Sequence, residues 1–492
     1  MRILFVDIDS LRSDHLGCYG YARDTSPTID ALAAEGIRFD RCYVSDAPCL
    51  PSRTAWATGR FGIHSGVVAH GGARAEPFNT SRQRVQDPDP DFLHWFQVLE
   101  RAGHRTASIS PFPDRHAAWW YVAGLRDWHN TGLGGMETAD QITSHAVRWL
   151  EEHADEDDWV LHVNYWDPHT PYRTPDAGSG RFADDPPPVW PDAATLERHW
   201  NGYGTLSAQD PMAYWFPDAL RWQREGVPDQ IRDVETFGRW IDGYDDGVRY
   251  ADDHLAQLVA LLEAKGLLDD TVVVVTADHG ENQGELNVYG DHQTADDPTT
   301  HVPFIVRYPA WGRGRVDRAL HYQFDLGATL LELAGASVPS AWDAQSFAPA
   351  LLDGREEGRD ALVLSQMAWS CQRSVRFDDW LYIRTYHEGL KDLPRTMLFD
   401  LSADPFETTD LAAARSDVVR EAQGRLQAWH ENVMASSLET TDPLWTVMAE
   451  GGPSLARGLL GRYVERLRAT GRSAAAERLM AREADREVRR GR

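Results

Sequence analysis

Lysine is nearly absent. Among 492 residues only Lys265 and Lys391 occur, although lysine and arginine together number 49. A site that needs fixed cations must therefore draw on arginine, histidine or a metal ion. Positive charge is short overall: Asp and Glu number 76 and the formal net charge is −27, so a phosphate backbone would be repelled and nucleic acid is excluded as a general partner. An anionic substrate would have to be drawn in by a local cation. Cysteine is scarce as well, and Cys18, Cys42, Cys49 and Cys371 do not make a disulfide framework in a chain this long. No run approaches the length of a membrane span. The start, Arg2 followed by Ile3-Leu4-Phe5-Val6-Asp7-Ile8-Asp9, is too short and too acidic for an apolar targeting core. These absences predict a cytoplasmic protein with no membrane partner. What is present, 42% hydrophobic and 25% charged residues, suits a soluble chain with a large core and a smaller second domain.

The stretch that organises the rest is Cys49-Leu50-Pro51-Ser52-Arg53-Thr54-Ala55-Trp56-Ala57-Thr58-Gly59-Arg60. Pro51 suits a first helical turn and Gly59 a helix stop, which predicts a loop running into a short helix with Cys49 just before its N-terminus. Unpaired N–H groups and partial positive charge there favour an anionic substrate and a reactive side chain. Elsewhere, Ile3 to Asp9 reads as a buried parallel strand whose alternating acids, Asp7 and Asp9, share one face at its carboxyl end. Two such acids are costly to bury without a cation. Asp270 to Thr276 is a second apolar strand, ending at Ala277-Asp278-His279-Gly280, and Trp159 to Tyr165 is a third, delivering Asp167-Pro168-His169-Thr170-Pro171-Tyr172. Helices alternate with these strands, as in Ile142 to Ala154 and the stripe Val248, Ala251, Leu255, Leu258, Leu261, Leu262. The pattern predicts an α/β fold with a mostly parallel sheet, whose ligands gather at the strands' carboxyl ends.

The run Cys-x-Pro-Ser-Arg followed by Thr-Gly resembles the signature of the type I sulfatases in the alkaline phosphatase superfamily. The resemblance implies an alkaline-phosphatase-like sheet sandwiched by helices, with a smaller C-terminal antiparallel sheet. It also implies that Cys49 is converted to formylglycine by a maturation enzyme, and that Arg53, one turn on, holds the aldehyde hydrate. Asp9, Asp278 and His279 match metal-binding positions. The common second acid is replaced by Ser10, for which Asp7 is the candidate substitute. With residue 49, this donor set suits a hard divalent ion, Ca2+ foremost, with Mg2+ or Mn2+ as alternatives.

His169, in the Pro-His-x-Pro-Tyr run, resembles a histidine that reaches the sulfate. Two lysines that sulfatases commonly carry are missing here. Arg115 and His116 are the candidates to replace a Lys and His pair after the strand Arg105 to Ser110, and His292 and His301 stand where fixed cations are usual, with His292 preferred. His64 follows the signature helix where many relatives have a histidine.

The expected organisation is a catalytic domain over 1–358 with a Trp- and Pro-rich insertion at 184–227, a C-terminal subdomain over 359–435, and a helical tail over 436–492 as a homo-oligomer contact or solvated end. The expected function is hydrolysis of a sulfate ester, on a small molecule or oligosaccharide such as a sulfated carbohydrate. Alternatives are a phosphonate monoester or phosphodiester hydrolase using the same site, and an inactive binder of sulfated glycans.

Overall fold

The computed structural model describes residues 1–78, 92–175, 178–211, 227–437 and 439–489. An eight-stranded sheet runs in the order Arg315–Asp317, Ile37–Phe39, Phe304–Arg307, Thr271–Thr276, Arg2–Ile8, Trp159–Tyr165, Arg105–Ile109, Asp127–His129. All pairs are parallel except those of Phe304–Arg307, which runs against both of its neighbours. The central strands RILFVDI, WVLHVNY and TVVVVT are covered on both faces, which is why they read as near-continuous apolar runs. Helices Pro27–Glu35 and Ala139–His153 each pack on Val234–Ala264, and Cys49–Thr58, Trp95–Arg101 and Asp325–Leu333 form a second group. Beyond Ile37–Phe39 the chain leaves the large sheet, and Cys42–Tyr43 pairs with His321–Tyr322.

A five-stranded sheet follows, in the order Thr396–Asp400, Trp380–His387, Cys371–Phe377, Leu362–Gln366, Asp46–Ala47. Its first four strands are antiparallel, as the resemblance implies. The fifth comes from the other end of the chain. Asp46 and Ala47 pair in parallel with Ser365 and Gln366, so the smaller sheet is stitched to the main body two residues before Cys49.

The last helices, Leu460–Ala469 and Ser473–Arg489, are not a solvated end. Tyr463, Val464, Leu467, Ala475, Ala476 and Leu479 form one apolar cluster with Tyr203 and Leu390. Arg466 and Arg472 both pair with the buried Asp210, each at 2.7 Å. These contacts tie the tail to the insertion at 184–227, in which Trp190 stacks on Phe406 with ring centroids 4.7 Å apart. Residues 212–226 of that insertion, with Trp215 and Trp222, lie outside the described residues. No helix of the described residues is long and apolar enough to cross a membrane.

Candidate active site

The strands Arg2–Ile8 and Thr271–Thr276 lie side by side in register, with Asp7 opposite Thr276, so their carboxyl ends deliver Asp9 and Asp278 to one place. The helix Cys49–Thr58 begins there too. Cys49 is its first residue rather than the one before it, and Gly59 closes it in the left-handed conformation, φ 62°. Arg53, one turn along, is fully buried and makes three ion pairs: Nε to Asp7 Oδ2 at 2.8 Å, NH1 to Asp9 Oδ2 at 3.0 Å, and NH1 to Asp278 Oδ2. Its planar fork can meet three carboxylates at once. Three carboxylates around one guanidinium leave two negative charges unmatched if all ionise.

The electrostatics express that excess. Burial alone would raise Asp9, but Arg53, His169, His279 and His292 together hold it below the ordinary carboxylate range. Burial lifts Asp278 well above that range, with Arg53 opposing and Asp9 and Asp7 adding to the rise. Burial and mutual repulsion thus work against ionising both carboxylates at once, a conflict that a further cation would relieve.

Ligand atoms of Asp9, Cys49, Asp278 and His279 all lie within 4.8 Å of one another, and those of Cys49, His279 and His292 form an overlapping set. The His279 ring is oriented for ligation. Its Nδ1 is 2.8 Å from the Gly280 carbonyl, which places the proton there and leaves Nε2 open, 3.1 Å from Cys49 Sγ and 3.2 Å from Asp278 Oδ2. Burial lowers His279 to about 4, so the imidazole is neutral. Gly280 must be glycine, because a Cβ there would run into the Pro298 carbonyl. Two carboxylates, a neutral imidazole and residue 49, with surplus negative charge, fit a divalent cation.

Asp7 lies outside the four-residue set. It holds Arg53 and sits 3.6 Å from His162 Nε2. Ser10 is not a substitute ligand either: its Oγ donates to Asp9 Oδ1 at 2.9 Å and its N–H to Asp278 Oδ1 at 3.2 Å, so it orients both carboxylates. Around this centre the rings of His292 and His279 are 3.9 Å apart, and those of His169 and His292 are 5.8 Å apart. Burial lowers His169 to about 4 against the pull of Asp9. Arg115 lies over the Trp166 ring at 4.8 Å, and the His116 Nε2 atom is buried without a partner.

Two of the sequence candidates sit elsewhere. His64 bridges Asp343 and the Val433 carbonyl, each at 2.7 Å, joining the signature region to the helix Ser416–Ser436. His301 stacks on Tyr43 and bonds the Asp40 carbonyl at 2.9 Å. Both have their ring nitrogens engaged in holding chain segments together, so neither is part of the cluster at Cys49.

Other residues of the site escaped the sequence reading. His70 Nε2 accepts the Leu50 N–H at 3.2 Å, and its ring is 4.9 Å from that of His116. No motif marks it. Arg173 directly follows the Pro-His-x-Pro-Tyr run, donates to the His169 carbonyl at 3.3 Å and acts on Asp9; its adjacency to that run was the available signal.

A donor set that could hold a metal ion thus lies beside a helix-borne Cys49, at the carboxyl ends of a mostly parallel sheet, which is the layout of a candidate hydrolase site. Comparison with known proteins makes this specific. The sulfatase family model matches residues 2–336, and the model described as N-sulphoglucosamine sulphohydrolase, C-terminal, matches residues 284–432. The chain belongs to the sulfatase family and is a sulfuric ester hydrolase. It is similar to the N-acetylglucosamine-6-O-sulfatase of Bacteroides thetaiotaomicron, 23% identical over 92% of this chain and 89% of that protein. A solved structure in complex with its substrate D-glucosamine-2-N,6-O-disulfate superposes with a TM-score of 0.71 at 20% identity, covering 90% of this chain and 99% of the other. The phosphonate monoester hydrolase of Agrobacterium radiobacter shares the fold, with a TM-score of 0.65 at 21% identity over 88% and 96% of the two chains.

Proposed function

We propose that the protein hydrolyses a sulfate ester on a carbohydrate, using formylglycine made from Cys49 by a maturation enzyme. The observation that carries this reading is the shared position of Cys49, Asp9, Asp278 and His279 within 4.8 Å. Cys49 as a thiol is unsuited to the reaction: burial, with Asp9 and Asp278, pushes its pKa well up, and a protonated thiol is a poor nucleophile. As formylglycine it would supply a hydrated aldehyde, one hydroxyl attacking sulfur with expulsion of the alcohol, and loss of the other's proton re-forming the carbonyl with release of sulfate. Asp9, Asp278, His279 and residue 49 would hold the divalent ion, Ca2+ foremost with Mg2+ or Mn2+ as alternatives, which would favour hydrate ionisation and polarise a sulfate oxygen.

The chain's own groups do the rest. Arg53, fixed by Asp7, orients Asp9 and Asp278. His169, His292, His116 and Arg115 surround the place of the transferred group in a protein that offers no lysine beside the signature. His169 lies between Trp166 and His292 and is neutral in the resting site, so it accepts a proton before it can donate one to the leaving oxygen. The carbohydrate assignment is supported by the glucosamine sulfatases to which the chain is similar. For domain organisation we keep 1–358 as the catalytic body, 359–435 as the subdomain and 436–492 as its helical extension.

A phosphonate monoester is the second reading, favoured by the shared fold of the phosphonate hydrolase. The test is made on protein coexpressed with a formylglycine-generating enzyme. The peptide containing residue 49 should be lighter by ~18 Da than its thiol form, on atom counting of the oxidation. Aryl sulfate turnover should then exceed aryl phosphonate turnover and vanish in Cys49→Ala. Faster phosphonate turnover selects the second reading, and full activity in Cys49→Ala removes both.

A further inference from the structure

Lys391 is one of two lysines in the chain, and its side chain is buried. It lies beyond the strand Trp380–His387, in the smaller half of the molecule. Its Nζ donates to Thr205 Oγ1 at 2.9 Å and lies 5.6 Å from the centre of the Trp369 ring. That partner is a neutral hydroxyl, while Asp291 and Asp296 act on the ammonium from farther off. Burying an ammonium on these terms is expensive, which calls for a return other than stability.

Two hydrogen bonds and a charge contact beyond Thr205 lead into the site. Thr205 Oγ1 donates to Gln293 Oε1 at 3.1 Å, Gln293 Nε2 donates to Asp291 Oδ2 at 2.7 Å, and Asp291 Oδ1, which accepts the His292 backbone N–H at 2.8 Å, lies 3.3 Å from His292 Nε2. Each link has its direction set by the one before it. An ammonium only donates, so the threonine hydroxyl must accept from it and pass its own proton to the Gln293 oxygen. With the oxygen so engaged, the amide turns its NH2 to Asp291. The carboxylate only accepts; its other oxygen takes the His292 backbone N–H and sets its negative charge 3.3 Å from His292 Nε2, which favours the ring proton there. His292 is left with an open Nδ1, and Nδ1 is the ring nitrogen that is buried without a partner.

The C-terminal helices hold both sides of the Lys391 to Thr205 contact. Tyr463 OH accepts from Gly204 N at 2.7 Å, and Arg482 donates to the carbonyls of Lys391 at 2.6 Å and Gly389 at 3.3 Å. Neither family model reaches these helices, since the second ends at residue 432.

We infer that Lys391 is a positioning residue that acts through Thr205, Gln293 and Asp291 to fix the tautomer of His292, so that an open Nδ1 is presented beside His279 and residue 49. For its kinetic readout the inference rests on the sulfatase reading above. The main test is a double-mutant cycle on aryl sulfate turnover with Lys391→Met, His292→Ala and both together. Lys391→Met should lower kcat by about tenfold with little change in KM, the size of effect seen when a group that orients an active-site histidine is removed. In the His292→Ala background the same change should cost almost nothing. Additive losses would overturn the inference.

Thr205→Val breaks the relay while leaving the lysine in place, and should reproduce the kcat loss. Lys391→Met should melt no lower than the parent, because a buried charge is replaced by an apolar chain; a purely structural lysine would lower Tm and leave the cycle additive. An activity-independent readout is the pair of His292 imidazole 15N resonances, assigned by their disappearance in His292→Ala. They should show a protonated Nε2 and an open Nδ1 in the parent and move toward a tautomer mixture in Lys391→Met and Thr205→Val. Unchanged resonances refute the relay. A parent that turns over neither sulfate nor phosphonate, yet shows this shift, sinks the sulfatase reading and leaves the relay standing.

Discussion

Arg53 and Lys391 are both buried cations, but Arg53 touches three carboxylates and Lys391 touches a hydroxyl. The first is a hub. Its removal would leave acids from two strands facing one another, and its planar guanidinium is the group that can serve all three. The second starts a directed line of hydrogen bonds, and its charge is under-compensated by design of its surroundings: burial lowers it to about 7, with Asp291 and Asp296 opposing. One cation holds the acids gathered beside Cys49; the other orients a side chain at a distance.

The sharpest way to break this contrast is Arg53→Met. It leaves Asp7, Asp9 and Asp278 buried without their counter-ion, and should cost about 3–5 kcal/mol of stability in chelator, read by denaturant unfolding, together with loss of turnover. Arg53→Lys should recover little of either.

Asp278→Asn tests the opposite side of the same balance. Because carboxylates outnumber the guanidinium, removing one should leave Tm in chelator unchanged or raised, while abolishing both the Tm increase on adding Ca2+ or Mn2+ and the hydrolysis. A drop in chelator as large as that of Arg53→Met would show that the acids are not in excess.

Neutral bases give a third, smaller effect. Burial lowers His169 to about 4, and burial with His162 lowers His94 to about 3. Unfolded, both would titrate at about 6.5. The unfolded chain therefore binds more protons as pH falls from that value, so the stability these groups contribute is complete above about 6.5 and is lost on acidification toward 3. His94→Asn, which keeps an acceptor for the Phe96 N–H, should flatten the slope of Tm against pH between 6.5 and 4. An unaltered slope would place the acid sensitivity elsewhere.

Least affected should be His64→Asn and His301→Asn. Each removes a hydrogen bond between chain segments, so stability should fall by about 1 kcal/mol while kcat/KM stays within about twofold of the parent. A large kcat loss in either would bring that histidine back to the site.

The reach of sequence reasoning differs between the two cations for a physical reason. Asp9, Cys49, Asp278 and His279 were legible as places because each belongs to a short local pattern, an apolar run that reads as a buried strand or a helix with a proline in its first turn and a glycine at its stop; the resemblance to the sulfatase signature added Arg53 and the expected roles. Among the other histidines only His169 was marked by a motif, its Pro-His-x-Pro-Tyr run. His64, His116, His292 and His301 were singled out by their place in the chain, yet His292 touches the His279 ring while His301 packs on Tyr43. Ser10, written off as a missing acid, turned out to be a donor to the acids that remain.

By itself, then, the chain's order of apolar and punctuating residues determined the parallel sheet, the strand ends where the acids emerge and the helix that carries Cys49, because those features depend on neighbours a few residues apart. Tertiary structure alone decided that Asp46 and Ala47 extend the smaller sheet, that the last helices close over residues 203–210, and that Lys391 meets Thr205 across 186 positions of chain. Such contacts are settled by how whole layers pack, and no local spacing encodes which distant hydroxyl will lie within reach of an ammonium.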